Sequence, residues 1–294
     1  MNYYDSKYRD EVNGIISDIF YVPTSNDNKI STIRRYAEII VRRLADWDMD
    51  EAITLGDKNV IEKLKKKGVN EQMFWAAYNT IRTCGNNRTH TQVTTTATDQ
   101  EYNLVVDRLL DLYAYLFVDF FKRYRFGNNP NILTSFSILP PIIRYKALLE
   151  LYNHDPNNTQ IIEKLTMAIF KAFNKNEAVD WIEKHKEVLE QLHFEFQSST
   201  EEQDQLVNRM GRINAGVIKQ LIAVQQKRTM YDICMEKINC LVESDWRPLY
   251  DSLETAIAYY KENGIVPGDS DEVREFNSLM EFIYMGRKAD ANIL

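Results

Sequence analysis

An apolar stripe at helical spacing runs through residues 99–125 and constrains the fold more than any other feature of the chain. The stripe recurs every three or four residues, as expected for one face of an α-helix. Its members are Tyr102, Val105, Val106, Leu109, Leu112, Tyr113, Leu116, Phe117, Phe120 and Tyr124. Thr98 and Glu101 are spaced as a capping box, which begins a helix. A helix of about 40 Å needs other elements to cover such a stripe, so we expect it to form core or a subunit interface.

Further helical patterns lie on both sides of this stripe, and no alternating strand pattern is found. The predicted helices span residues 30–46, 57–68, 70–85, 140–153, 158–174, 176–197, 201–229, 231–262 and 271–287. The chain contains only 10 Gly and 7 Pro in 294 residues. Because few turn-forming residues favour long helices over many short strands, the sequence predicts an all-α fold.

The run Gly127-Asn128-Asn129-Pro130 interrupts the helical pattern and predicts a domain boundary. Residues 1–127 would form an N-terminal helical bundle, and residues 131–294 a second, acidic α-helical domain. Residues 1–130 carry 18 basic and 18 acidic side chains, so the net charge of −7 belongs to the rest of the chain. The N-terminal part is therefore the part that is compatible with a phosphate backbone.

Composition also limits the class of protein. No run of about 18 uncharged apolar residues is present, so no membrane span is expected. The first ten residues are polar and charged, unlike a secretory signal. The cysteines Cys84, Cys234 and Cys240 form neither a metal-binding nor a disulfide pattern. We expect a cytoplasmic protein without metal or cofactor.

The densest polar chemistry of the chain lies in residues 81–90, Ile-Arg-Thr-Cys-Gly-Asn-Asn-Arg-Thr-His. The preceding helix is predicted to end at Gly85, which places Arg82 in its last turn and His90 beyond it. An imidazole, with an ordinary pKa of about 6.5, suits proton transfer near neutral pH. A guanidinium supplies a permanent, bidentate contact to phosphate. Asn86 is placed to orient the imidazole or to donate to a phosphate oxygen.

Arg82, Gly85, Asn86 and His90 form an Arg-x-x-Gly-Asn-x-x-x-His arrangement between predicted helices. This arrangement resembles the HEPN superfamily, whose small helical bundles include many metal-independent ribonucleases of anti-phage and toxin systems. The resemblance covers roughly residues 28–126 and extends to the basic run before Gly68 and to the aromatic last helix. Seven residues separate Arg82 from His90. That spacing resembles the subgroup with a Gly-Asn insert, whose members are less uniformly nucleases.

The resemblance implies a metal-independent endoribonuclease of an anti-phage defence or toxin type. In HEPN proteins the motifs of two subunits face each other, so a homodimer with a composite site is implied. His90 would be general base or acid, Arg82 would stabilise phosphate charge, and Asn86 would position the other groups. RNA would be the substrate, and the C-terminal domain would bind a protein partner or a ligand.

Other polar residues near the motif have two readings each. Arg88 is either a solvated side chain or an alternative phosphate contact. Lys65 and Lys66 form either a solvated basic face or a second RNA contact. Glu38 has an arginine one helical turn away on each side, which indicates an ion-paired face or a supporting role at the motif. Cys84 is a weaker candidate, as a thiol nucleophile beside an arginine.

An alternative function comes from a different class of protein. The chain would be a non-catalytic helical dimerisation or interaction module in a defence or regulatory assembly. Arg82, Asn86 and His90 would then form a hydrogen-bonded network that fixes a helix junction or a dimer interface.

Overall fold

A computed structural model of the chain describes residues 6–47, 51–89, 95–193, 228–244 and 250–289. Within these ranges there are thirteen α-helices and no β-strand, although an isolated antiparallel bridge joins His193 to Thr229. The predicted all-α fold is confirmed. Over the same ranges, no helix has the length and apolar character needed to cross a membrane.

The chain divides into two compact units, and the division differs from the predicted boundary. The first unit comprises residues 1–150 and 249–294, and the second comprises residues 151–248. The polar run at 127–130 is a turn within the first unit. There the Asn129 side chain accepts hydrogen bonds from the main-chain N–H groups at the start of the next helix and so caps it.

The helices of the first unit are α1 (Ser6–Phe20), α2 (Asn26–Leu44), α3 (Lys58–Lys66), α4 (Gln72–Thr89), α5 (Asp99–Arg123), α6 (Pro130–Phe136), α12 (Leu253–Asn263) and α13 (Asp271–Tyr284). The division between the units falls within α7 (Pro141–His154), after residue 150. The helices of the second unit are α8 (Thr159–Ala172), α9 (Lys175–Lys184), α10 (Lys186–Gln191) and α11 (Met230–Glu243).

Several helix bounds differ from those predicted. The sequence patterns do not predict α1 and α6. The helix predicted over 176–197 is divided at His185 into α9 and α10, and the one over 231–262 is divided into α11 and α12. The second break has a local cause, because Ser252 and Thr255 form a reciprocal capping box that begins α12. Residues 201–227 of the helix predicted over 201–229 lie outside the described residues, and residues 228 and 229 are not helical.

The middle of α5 is the centre of the first unit. Seven consecutive residues, Leu112 to Val118, are each at most 3% exposed, so no face of this part of the helix reaches solvent. Tyr113 packs edge-on against Tyr36 of α2, and Phe117 packs against Phe136 of α6, with ring centroids 5.9 and 5.5 Å apart. Seven of the ten residues of the predicted apolar stripe are core, and Tyr102, Val106 and Tyr124 are partly buried.

A buried ion pair fixes the C-terminal helices within the first unit. Arg287, which follows α13, lies 2.9 Å from Glu254 of α12, and both side chains are at most 4% exposed. Arg287 also donates to the hydroxyl of Tyr113 on α5 at 3.2 Å. The hydroxyl of Tyr21 donates to Glu254 at 2.6 Å, and the guanidinium lies over the ring of Phe20. This one charge pair thus joins α5, α12 and the ends of α1 and α13.

We expect Arg287→Met to lower the free energy of unfolding by about 3–5 kcal/mol, because it leaves the Glu254 carboxylate buried without its cation. Urea unfolding of the full chain measures the change. Arg274→Met is the matched control, since Arg274 is 65% exposed and pairs with Asp271 at the surface. Its effect should stay below about 1 kcal/mol. Equal, small effects of the two substitutions would show that the buried pair does not hold the C-terminal helices.

Candidate functional site

Residues 81–89 of the polar segment lie inside α4 and not in a turn after it. Because α4 continues to Thr89, the predicted helix stop at Gly85 is wrong. Arg82, Gly85 and Asn86 are spaced so that they share one face of the helix. His90 lies outside the described residues. The segment is therefore held by the contacts of α4, and two charged clusters fix the ends of this helix.

Glu71 holds the start of α4 against α5. Its side chain is 2% exposed, accepts a hydrogen bond from the Tyr115 hydroxyl and pairs with Lys122. Burial raises the pKa of this carboxyl, but the hydrogen bonds from Lys122, Tyr115 and nearby main-chain N–H groups outweigh burial and lower the pKa to about 2. Glu71 is consequently ionised at neutral pH and bound on several sides.

Arg88 holds the other end of α4. Its side chain is 8% exposed, lies 3.1 Å from Asp27 of α2, and pairs with Glu101 of α5. It also donates to the main-chain carbonyl of Thr95 at 2.6 Å. Two carboxylates thus neutralise this guanidinium, and both readings from the sequence, solvated side chain and phosphate contact, are corrected. Thr98 caps α5 as predicted, whereas the Glu101 carboxylate pairs with Arg88.

Gly85 is buried where α4 meets Arg34 of α2. A Cβ atom at Gly85 would lie 2.5 Å from Cδ, 2.6 Å from Cβ and 3.0 Å from Cγ of Arg34. Carbon atoms in contact are normally about 3.5–4.0 Å apart, so this position requires glycine for packing rather than for a bend. The Arg34 side chain is 16% exposed and forms an ion pair with Glu38, one turn further along α2, at 3.5 Å. Arg34 donates no hydrogen bond to any residue that the structure describes.

The loop before α3 covers Arg82. Glu38 accepts a hydrogen bond from the main-chain N–H of Leu55 at 3.2 Å, and the Tyr78 hydroxyl accepts one from Gly56 at 2.8 Å. Gly56 has φ +102°, and a Cβ atom there would lie 3.1 Å from Cδ and 3.4 Å from Nη1 of Arg82. Arg82 is partly buried, and among the described residues it has no carboxylate within ion-pair distance.

The sequence did not predict the contacts of this loop with the candidate site. Leu55 contacts Glu38, and Gly56 contacts Arg82 and Tyr78, across stretches of chain that no spacing rule connects. Gly56 itself was the available signal, as a glycine immediately before the capping residue Asp57. Glu38 is confirmed as ion-paired, and its hydrogen bond from Leu55 links it to the loop beside Arg82. A supporting role of Glu38 at the motif stays a prediction.

Burial and neighbouring groups shift the pKa values of Glu38 and Cys84. Burial raises the pKa of Glu38, while the Leu55 N–H and nearby arginines oppose the shift. Burial, together with the charge of Glu101, also raises the pKa of the Cys84 thiol, while Arg88 opposes the shift. A thiol that stays protonated at neutral pH does not fit a nucleophile.

The remaining candidates lie nearby. Asn86 is partly buried on the same face of α4 as Arg82. Lys65 and Lys66 are exposed in the last turn of α3, and the Lys65 ammonium lies 5.9 Å from the ring centroid of Trp75 on α4. A contact of these lysines with RNA stays a prediction. Over the described ranges, no group of three or more His, Cys, Asp or Glu side chains is arranged to hold a metal ion.

Comparisons with family models, curated proteins and solved structures gave no match to this chain. The resemblance to HEPN proteins therefore rests on the residues of the motif and its helical surroundings.

We expect Gly85→Ala to lower the free energy of unfolding by about 1–2 kcal/mol, because the overpacking at Arg34 exceeds the gain in helix propensity. Gly14→Ala is the matched control, since Gly14 is also helical and a Cβ atom there meets nothing within 4 Å. The control should gain up to about 1 kcal/mol. Stabilisation of both variants in thermal melts would contradict the packing role of Gly85.

The stability difference between the wild type and Glu71→Gln should depend on pH. The folded-state pKa of Glu71, about 2, lies below the unfolded value of about 4.3. The carboxylate therefore stabilises the fold fully above about pH 5, and this contribution is lost as the pH falls towards 2. Urea unfolding from pH 7 to pH 3 should show the wild type losing its advantage. An advantage that is constant over this range would refute the assignment.

Proposed function

We propose that the protein is a metal-independent endoribonuclease of the HEPN type, with an anti-phage defence or toxin role, active as a homodimer. One observation carries the proposal. The two arginines of the motif helix differ, because Arg88 is neutralised by two carboxylates, whereas Arg82 lies against Gly56 with no described carboxylate partner. An arginine of the second kind retains its charge for an anion, and it is the arginine that the motif resemblance selects.

The proposed reaction is an attack of a ribose 2′-oxygen on the adjacent phosphorus. The 2′-hydroxyl proton passes to a base, the bond from phosphorus to the 5′-oxygen breaks, and that oxygen takes a proton from an acid. The products are a 2′,3′-cyclic phosphate and a 5′-hydroxyl. Arg82 would stabilise the charge on the non-bridging oxygens, and Asn86 would orient the phosphate or the imidazole. His90 would act as base or acid, and the second subunit would supply the other imidazole.

Cleavage of labelled single-stranded RNA in EDTA tests the proposal. We expect the wild type to produce fragments ending in 2′,3′-cyclic phosphate. Arg82→Ala and His90→Ala should each be slower by about 100-fold or more, because each removes a group that acts in the transition state. The melting temperature of Arg82→Ala should change little, since Arg82 forms no ion pair among the described residues.

Arg125→Ala is the matched control, because Arg125 is exposed and follows the far end of α5, roughly 35 Å along the helix from Glu101. It should cleave at the wild-type rate. Absence of cleavage by the wild-type homodimer, or equal cleavage by wild type, Arg82→Ala and His90→Ala, would contradict the proposal.

A second candidate is a helical dimerisation or interaction module without catalysis. The contacts of Gly85 with Arg34, and of Arg88 with two carboxylates, favour it, because they use much of the segment to join helices. This candidate predicts that Arg82→Ala and His90→Ala lower the melting temperature or dissociate the dimer in sedimentation experiments. Under either candidate, the region from residue 131 onward is proposed to bind a protein partner or a ligand.

A further inference from the structure

We propose that Arg34 of α2 is a second anion-binding side chain of this site, held in place by Gly85 and directed, with Arg82, at a phosphodiester of single-stranded RNA. The identity of the ligand rests on the proposed function. The placement of Arg34 does not rest on that function, because it follows from packing and charge alone.

The absence of a side chain at Gly85 leaves space on α4 for the Arg34 side chain. Three carbon atoms of the Arg34 stem occupy space that any side chain at position 85 would need. A glycine inside a helix is unfavourable relative to alanine, so the close approach has a cost in helix stability. In return, the stem of Arg34 is fixed along the face of α4 that also carries Arg82 and Asn86. A pre-positioned side chain loses less conformational freedom when it binds a ligand.

The positive charge of Arg34 takes part in few interactions within the fold. Arg88 shows what a structural arginine in this unit looks like, with two carboxylates and a carbonyl as partners. Arg34 has one carboxylate, Glu38, at 3.5 Å, and no hydrogen bond to a described residue. The same Glu38 oxygen also accepts from the Leu55 N–H. The Arg34 side chain is 16% exposed, so its N–H groups that donate to no described residue remain available to a ligand.

The charges of the cluster indicate that this ligand is an anion. Arg34 and Arg82 carry two positive charges against the single negative charge of Glu38, and one phosphodiester would balance the remainder. Asp57, next along the loop, is exposed, and it caps α3, whose positive end offsets its charge. The Glu38–Leu55 hydrogen bond and the contact of Gly56 with Arg82 connect the two arginines through one loop.

Binding of an RNA strand that cannot be cleaved through its 2′-oxygen tests the inference. The probe is a fluorescein-labelled 2′-O-methyl oligoribonucleotide of about 12 nucleotides, followed by anisotropy between about 0.05 and 0.2 M salt. We expect Arg34→Gln to weaken binding about tenfold, and to reduce the slope of log K against log salt by about 0.7, the value for one lost contact to a single strand.

Two further variants sharpen the test. Arg35→Gln is the matched control, because Arg35 is the adjacent and exposed arginine of α2, and it should keep the wild-type slope. Gly85→Ala displaces the Arg34 stem and should therefore reproduce the slope of Arg34→Gln. The double variant should show no further reduction. A structural role of Arg34 would instead lower the melting temperature and leave the slope unchanged, which would overturn the inference.

Binding and cleavage separate this inference from the proposed function. A wild type that binds the 2′-O-methyl strand with an Arg34-dependent slope, but cleaves no RNA, supports the inference and contradicts the nuclease. A wild type that cleaves RNA while Arg34→Gln binds and cleaves normally contradicts the inference alone. A wild type that does not bind the strand, including one that binds an acidic peptide in its place, overturns the inference.

Discussion

The middle of α5 offers no polar face to solvent, and the rest of the first unit follows from the need to cover it. An amphipathic helix requires partners on one side only, whereas the seven buried residues from Leu112 to Val118 require them all round. The neighbours α2, α4 and α6 supply part of this cover. The remainder comes from the far end of the chain, where Phe276 and Phe282 of α13 pack against the rings of Phe117 and Tyr36.

The distant helices that pack around α5 bring charged groups into the interior, and each of those groups then needs a partner. The pair of Arg287 and Glu254 is the clearest case, since an unpaired charge in this position would cost several kcal/mol. Glu71 and Arg88 follow the same rule at the two ends of α4. These clusters hold the motif helix as a fixed platform, which is what a binding or catalytic residue on that helix requires.

The sequence predicts those parts of the fold that depend on neighbours along the chain. The stripe of α5 and the caps Asp57 and Thr98 are examples, because a helix period and an N-cap involve residues a few positions apart. The return of α12 and α13 to the N-terminal bundle was not predictable in this way. One of its hydrogen bonds joins Arg287 to Tyr113, 174 positions apart, and no local sequence pattern predicts such a contact.

The candidate site shows the same limit of prediction from neighbouring residues along the chain. A local rule interprets Gly85 as the end of a helix, whereas the structure uses it as a gap for Arg34 within a continuing helix. The sequence leaves Arg88 open as an alternative phosphate contact to Arg82. Acidic partners from other helices decide between the two, because they neutralise Arg88 and not Arg82. Where a motif consists of charged residues, its chemistry therefore depends on which of the charges are neutralised by ion pairs in the folded protein. Those pairs join distant parts of the chain, so only the packed structure defines them.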